Sequence, residues 1–132
     1  MKNLLMIKLF RIYWKSLLVA IVIAYGSLTS GENLPESSLL SIPHADKIMH
    51  ALMYAALSLL ILAANKRLEI QNNQAYTITF AILYGSCMEW LQMTLTQTRQ
   101  GELLDIVANL TGVLLGWILF KFLGKKRWLH YL

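Results

Sequence analysis

The stretch Asp46–Asn65, DKIMHALMYAALSLLILAAN, opens with an acid, a base, an imidazole and a phenol, then runs from Ala55 to Ala64 without a charge. Its second half is suited to lipid, because a span needs roughly 20 mainly apolar residues at about 1.5 Å each. Its first half carries groups that cost roughly 2.5–3.5 kcal/mol each inside hydrocarbon even on lenient scales. Such groups either anchor a helix at the water boundary or form one wall of a polar site between helices. The surrounding chain decides between these readings.

Of the 132 residues, 57% are hydrophobic and 14% charged, against about 25% charged in an ordinary soluble domain. Three further apolar runs, Ser16–Gly31, Ile70–Met88 and Ile106–Phe120, have charges at their ends. Each reaches spanning length once interfacial Trp14, Tyr76, Trp90 or Trp128 is counted. The expected fold is therefore all-α, a single domain over residues 1–132 built as an integral membrane bundle of four transmembrane helices. Their expected limits are about 10–30, 46–65, 72–94 and 103–123. A basic stretch before an apolar run also suits a signal peptide, but the charged region is long and no clear Ala-x-Ala site follows, so the first segment is expected to remain as a span.

Four crossings place Lys2, Lys8, Arg11, Lys15, Lys66, Arg67, Lys121, Lys125, Lys126 and Arg127 on one side, ten of the twelve basic residues. By the positive-inside rule that side is the cytoplasm and holds both termini. Glu32, Glu36, Asp46, Glu89, Glu102 and Asp105 then fall toward the outer half. The basic residues flank apolar runs and make no stripe on a soluble face, so they imply membrane-lipid contacts and no nucleic acid. Cys87, the single cysteine, excludes an internal disulfide and a cysteine metal cage. The long connection Ser30–Ala45 carries Leu34, Leu39, Leu40 and Ile42 and is expected to lie along the outer interface.

Polar residues recur at helical spacing. Asp46, His50 and Tyr54 stand four and four apart, Gly85, Glu89 and Gln92 four and three, and Asp105, Asn109, Gly112 and Gly116 four, three and four. Each set falls on one helix face, and each starts at the same end of the expected bundle. The second, third and fourth helices are thus expected to meet around a polar pocket opening outward. Simpler accounts exist for several members. Asp46 and Asp105 complement a helix N-terminus, His50 alone serves as an interhelical hydrogen bonder, and Gly112 and Gly116 let another backbone approach closely. Glu89, set between Met88 and Trp90, has no such account, and its expected partners are His50, Asn109, Gln92 and Arg99.

DKIMHALMY, then EWLQ with Arg99 after it, then DIVANLTGVLLG resemble the VanZ-like family of small bacterial membrane proteins, over Asp46–Gly116 and in that order. Met49 and Ala51 stand where an aromatic residue is frequent beside the histidine, a departure that touches packing more than chemistry. The resemblance implies a multi-pass protein of the bacterial cytoplasmic (inner) membrane, associated in some members with teicoplanin tolerance; it supplies no reaction and no cofactor.

Three roles fit these residues. In the first, His50, Glu89 and Asp105 do acid–base chemistry on a lipid-linked or anionic envelope molecule, with Asp46, Lys47, Tyr54, Gln92, Arg99 and Asn109 lining the pocket and Lys47 and Arg99 holding an anionic group. In the second, the same pocket binds a lipid-linked precursor or a glycopeptide without altering it, or passes a proton. In the third, the chain is a non-catalytic accessory or structural subunit beside a protein partner in the membrane. One histidine without cysteine makes a poor zinc site; a metal variant would use His50 with the carboxylates and would suit magnesium or calcium better, and no metal-ligand residues are assigned.

Overall fold

The computed structural model describes residues 2–29, 44–95 and 103–123. Among these lie four helices: α1 (Lys2–Leu28), α2 (Ala45–Arg67), α3 (Asn73–Leu95) and α4 (Leu103–Leu123). The all-helical expectation holds, and the limits of α2, α3 and α4 lie within two residues of those expected. α1 begins eight residues earlier than expected, since Lys2–Leu9 contains no proline or glycine to delay it. Arg99 and most of the Ser30–Ala45 connection lie outside the described residues.

Helix directions follow from paired contacts. Lys47 meets Asp105, His50 meets Asn109, and Ser58 reaches the Val113 carbonyl, so α2 and α4 run parallel. The contacts of Asn65 with Thr77 and of Tyr54 beside Gly85 set α3 antiparallel to α2. α1 runs with α3, because Tyr13 donates to Asn65 Oδ1 at one end and Tyr84 donates to the Ala20 carbonyl at 2.6 Å further along.

The α2/α4 contact is the closest in the bundle. A Cβ at Gly112 would lie 2.2 Å from the Ala51 carbonyl oxygen, and one at Gly116 would lie 2.0 Å from Ser58 Oγ. Two bare glycines one turn apart therefore let the backbones touch, as small residues do where helices pack in lipid. Ser58 Oγ uses this proximity to donate to the Ala55 and Val113 carbonyls. Ile23, Tyr54, Leu57, Ala81 and Val113 fill the centre.

α2 ends in a six-residue hydrogen-bonded loop in which Glu69 N–H donates to the Lys66 carbonyl and Ile70 N–H to the Asn65 carbonyl, both at 3.1 Å. That pattern needs a left-handed residue after the cap, a place suited to glycine; here Glu69 takes it, at φ 54°.

Outside the core, Phe10, Leu18, Leu52, Leu83, Leu114 and Phe122 turn away from the bundle on all four helices. α2 and α4 are each long and apolar enough to cross a membrane.

Candidate functional site

At the end where α2 and α4 begin, the three polar sets converge. His50, Tyr54, Glu89, Gln92, Asp105 and Asn109 are all buried. The helical period accounts for this convergence: residues four apart in α2 and α4 face the same neighbour, and the parallel run of these helices sets equal depths side by side. Closest approach at Gly112 brings the turn above it, with Asn109, against His50.

His50 Nδ1 lies 2.9 Å from Asn109 Oδ1. A carbonyl oxygen only accepts, so Nδ1 carries the hydrogen, and in a neutral ring Nε2 keeps the lone pair. Glu89 Oε1 stands 4.0 Å from the same Nδ1, which further favours hydrogen on that nitrogen. The ring is thus oriented by one amide and one carboxylate from two different helices.

Nearer the bundle end, Lys47 Nζ lies 2.8 Å from Asp46 Oδ2 and 3.2 Å from Asp105 Oδ1. The lysine ties the first turn of α2 to that of α4, and its charge faces two carboxylates. Among the described residues of the cluster, three carboxylates accompany one ammonium.

Tyr54 lies one turn below His50 and is 1% exposed. Its hydroxyl and Asn109 Nδ2 flank Gly85: a Cβ there would lie 3.3 Å from each. Neither atom has a hydrogen-bond partner among the described residues. A space of about 100 Å³ lies beside Asn109 between α3 and α4, bordered by Gly85, Ser86, Ile106 and Val113. The larger cavity, about 630 Å³, lies elsewhere, among Tyr13, Leu17, Leu57, Ile61 and Phe80, and its walls are almost wholly apolar.

Every expected site residue within the described chain, Asp46, Lys47, His50, Tyr54, Glu89, Gln92, Asp105 and Asn109, falls at this one end. Gly112 and Gly116 occupy the α2/α4 seam, and Arg99 lies outside the described residues. No group of three or more metal-binding side chains occurs among the described residues.

A second polar network escaped the sequence reading. Tyr13 donates to Asn65 Oδ1, Asn65 Nδ2 to Thr77 Oγ1 at 3.2 Å, and Asn73 Nδ2 to the Leu62 carbonyl at 3.1 Å. It closes the opposite end of the bundle. Asn65 read as the boundary of an apolar run; its place on the buried face of α2, eleven residues after Tyr54, was the available signal.

The family model described as VanZ/LLP1 matches residues 2–124, a range that includes α1 and all three polar sets. No curated protein and no solved structure matches the chain.

Proposed function

This chain belongs to the VanZ/LLP1 family, and from that premise we propose that it is a multi-pass protein of the bacterial cytoplasmic membrane whose polar end binds a lipid-linked or anionic envelope molecule. One observation carries this reading: His50, Glu89 and Asn109, from three helices, meet in a buried cluster at one end of the bundle. Burying such groups is costly in lipid and is characteristic of functional positions. An anionic part of the ligand would fall to Arg99, since Lys47 already faces Asp46 and Asp105.

Helix direction supports four crossings. If α2 and α4 both span, their parallel run obliges the chain between them to cross back, and α3, with 23 residues, is about 35 Å long. α1 runs with α3 and would cross in the same sense. The basic residues then gather at the cytoplasmic side with both termini, and the cluster opens toward the exterior.

A second reading, acid–base turnover of the bound molecule, is favoured by the orientation of His50, whose Nε2 keeps the lone pair while Asn109 and Glu89 hold Nδ1. Glu89→Gln, His50→Ala and Asp105→Asn are expected to insert normally and to abolish the effect of the protein on teicoplanin tolerance. Wild-type tolerance in all three variants would remove the functional reading. Native mass spectrometry of protein released from its own membrane separates the roles: a lipid-linked molecule retained by the wild type and lost in Glu89→Gln supports binding, and a chemically altered molecule supports turnover. A bare wild type, or one carrying a protein partner, returns the weight to an accessory subunit.

A further inference from the structure

α1 and α3 run side by side, and between them lies the groove of about 630 Å³, within the range of about 300–1,000 Å³ usual for ligand pockets. Tyr13, Leu17 and Ala20 of α1 form one side, Tyr76 and Phe80 of α3 the other, and Ile61 of α2 the floor. The lips are open, with Leu17 49%, Tyr76 62% and Phe80 48% exposed, whereas Ile61 is 8% exposed.

Both ends of the α1 side are tied across the bundle. Tyr13 donates to Asn65 Oδ1, and Tyr84, whose ring stacks on Phe80 at 5.9 Å, donates to the Ala20 carbonyl at 2.6 Å. Ala20 stands seven residues after Tyr13, so the ties are about 10 Å apart along the helix. Charge then distinguishes the two ends. The end with Tyr13, Asn65 and Tyr76 also carries Lys8, Arg11, Lys15, Lys66, Arg67 and Lys121, against one acid, Glu69, among the described residues.

We propose that this groove binds an anionic glycerophospholipid, with one acyl chain between α1 and α3 and the headgroup at the basic end. The inference rests on the membrane-spanning reading above and not on ligand binding at the polar end.

Shape and charge select this occupant. Apolar walls give water nothing to bond. A helix, about 10–12 Å across with its side chains, cannot descend between ties about 10 Å apart. A single acyl chain can, entering sideways between the exposed lips. Its headgroup then lies among basic side chains, which attract a net negative lipid and not a net neutral one. Tyr76 at the mouth is a residue type that sits at headgroup depth.

The full chain is reconstituted in phosphatidylcholine vesicles doped with phosphatidylglycerol that carries a diazirine in one acyl chain, and the photolabelled peptides are mapped. Labels are expected to concentrate within residues 13–20 and 76–80. Unlabelled phosphatidylglycerol is expected to displace them at about tenfold lower concentration than extra phosphatidylcholine. Ala20→Phe sets a ring in the groove and is expected to lower labelling there about tenfold with helix content retained. Lys66→Gln combined with Arg67→Gln is expected to reduce the preference for phosphatidylglycerol while the chain still labels the groove.

Wild-type labels spread evenly onto the outward Leu114 and Phe122 of α4 overturn the site and leave the membrane reading standing, as does equal displacement by the two lipids. Full groove labelling in Ala20→Phe overturns it too. A second copy crosslinked across α1 and α3 in place of lipid overturns it in favour of a dimer. Release of the chain from cell membranes by alkaline carbonate without detergent overturns the site together with the membrane reading.

Discussion

Alanine at Gly112 or Gly116 tests the seam on which the polar cluster depends. At Gly112 the added carbon would lie 2.2 Å from the Ala51 carbonyl oxygen and 2.9 Å from its carbon; at Gly116 it would lie 2.4 Å from the Ala55 carbonyl oxygen. Relaxed carbon–oxygen contacts begin near 3.3 Å, and a backbone atom cannot rotate away, so α2 and α4 must part by about 1 Å. A gap of that size forfeits about a quarter to a half of the dispersion energy between facing atoms. Overpacking of this kind costs about 1–3 kcal/mol, and the immobile obstacle puts both sites at the upper end. Alanine recovers about 1 kcal/mol through helix propensity, which leaves a net loss of about 2 kcal/mol at each glycine. Gly26→Ala is the control, because no atom lies within 4 Å of the carbon it would add; it is expected to be neutral or stabilising by up to about 1 kcal/mol. Reversible unfolding in mixed dodecyl maltoside and dodecyl sulfate micelles, followed by far-ultraviolet circular dichroism, measures all three. Gly112→Ala and Gly116→Ala as stable as Gly26→Ala would refute the seam.

Glu69→Gly relieves a left-handed residue at φ 54° and is expected to stabilise by about 1 kcal/mol in the same unfolding assay. Tyr84→Phe removes the 2.6 Å hydrogen bond to the Ala20 carbonyl and is expected to cost about 1 kcal/mol. Lys47→Met leaves the buried Asp105 carboxylate without its ammonium, a loss of about 3 kcal/mol that Asp105→Asn in the same chain should largely restore; strictly additive losses would disprove the pairing. A periplasm-active reporter inserted within residues 96–102 should be active, and the same reporter after Leu132 inactive; the reverse would overturn the proposed topology.

The spacing of Asp46, His50 and Tyr54 carried most of what could be read in advance, because a helix of 3.6 residues per turn leaves no other arrangement for residues four apart. GVLLG showed that some backbone would come close, and only the structure shows that it is α2, running parallel. That pairing depends on how side chains interlock across helices far apart in sequence, which periodicity within one helix does not encode. Asn65 was hidden for a related reason: at the end of an apolar run it reads as a boundary, and its partners Tyr13 and Thr77 lie on other helices. His50 was legible as a polar wall, but the hydrogen on Nδ1 follows from contacts with Asn109 and Glu89 on other helices. The early start of α1 was not legible because Lys8, Arg11 and Lys15 mark the edge of an apolar run, while a helix continues wherever no proline or glycine interrupts it.

The parallel pairing of α2 and α4 has a consequence for how the protein is made. His50 and Asn109 are 59 residues apart in the chain, and at about 5–20 residues per second that distance takes roughly 3–12 s to synthesise. During those seconds α2 has been produced while the glycine face that will cover Ala51, Ala55 and Ser58 has not. A nascent chain stopped before Leu103 carries the His50 imidazole without the Asn109 amide that meets its Nδ1, while Ser58 keeps only the Ala55 carbonyl of its own helix. The face of α2 that packs on α4 is thus completed only once the last of the four helices has been made.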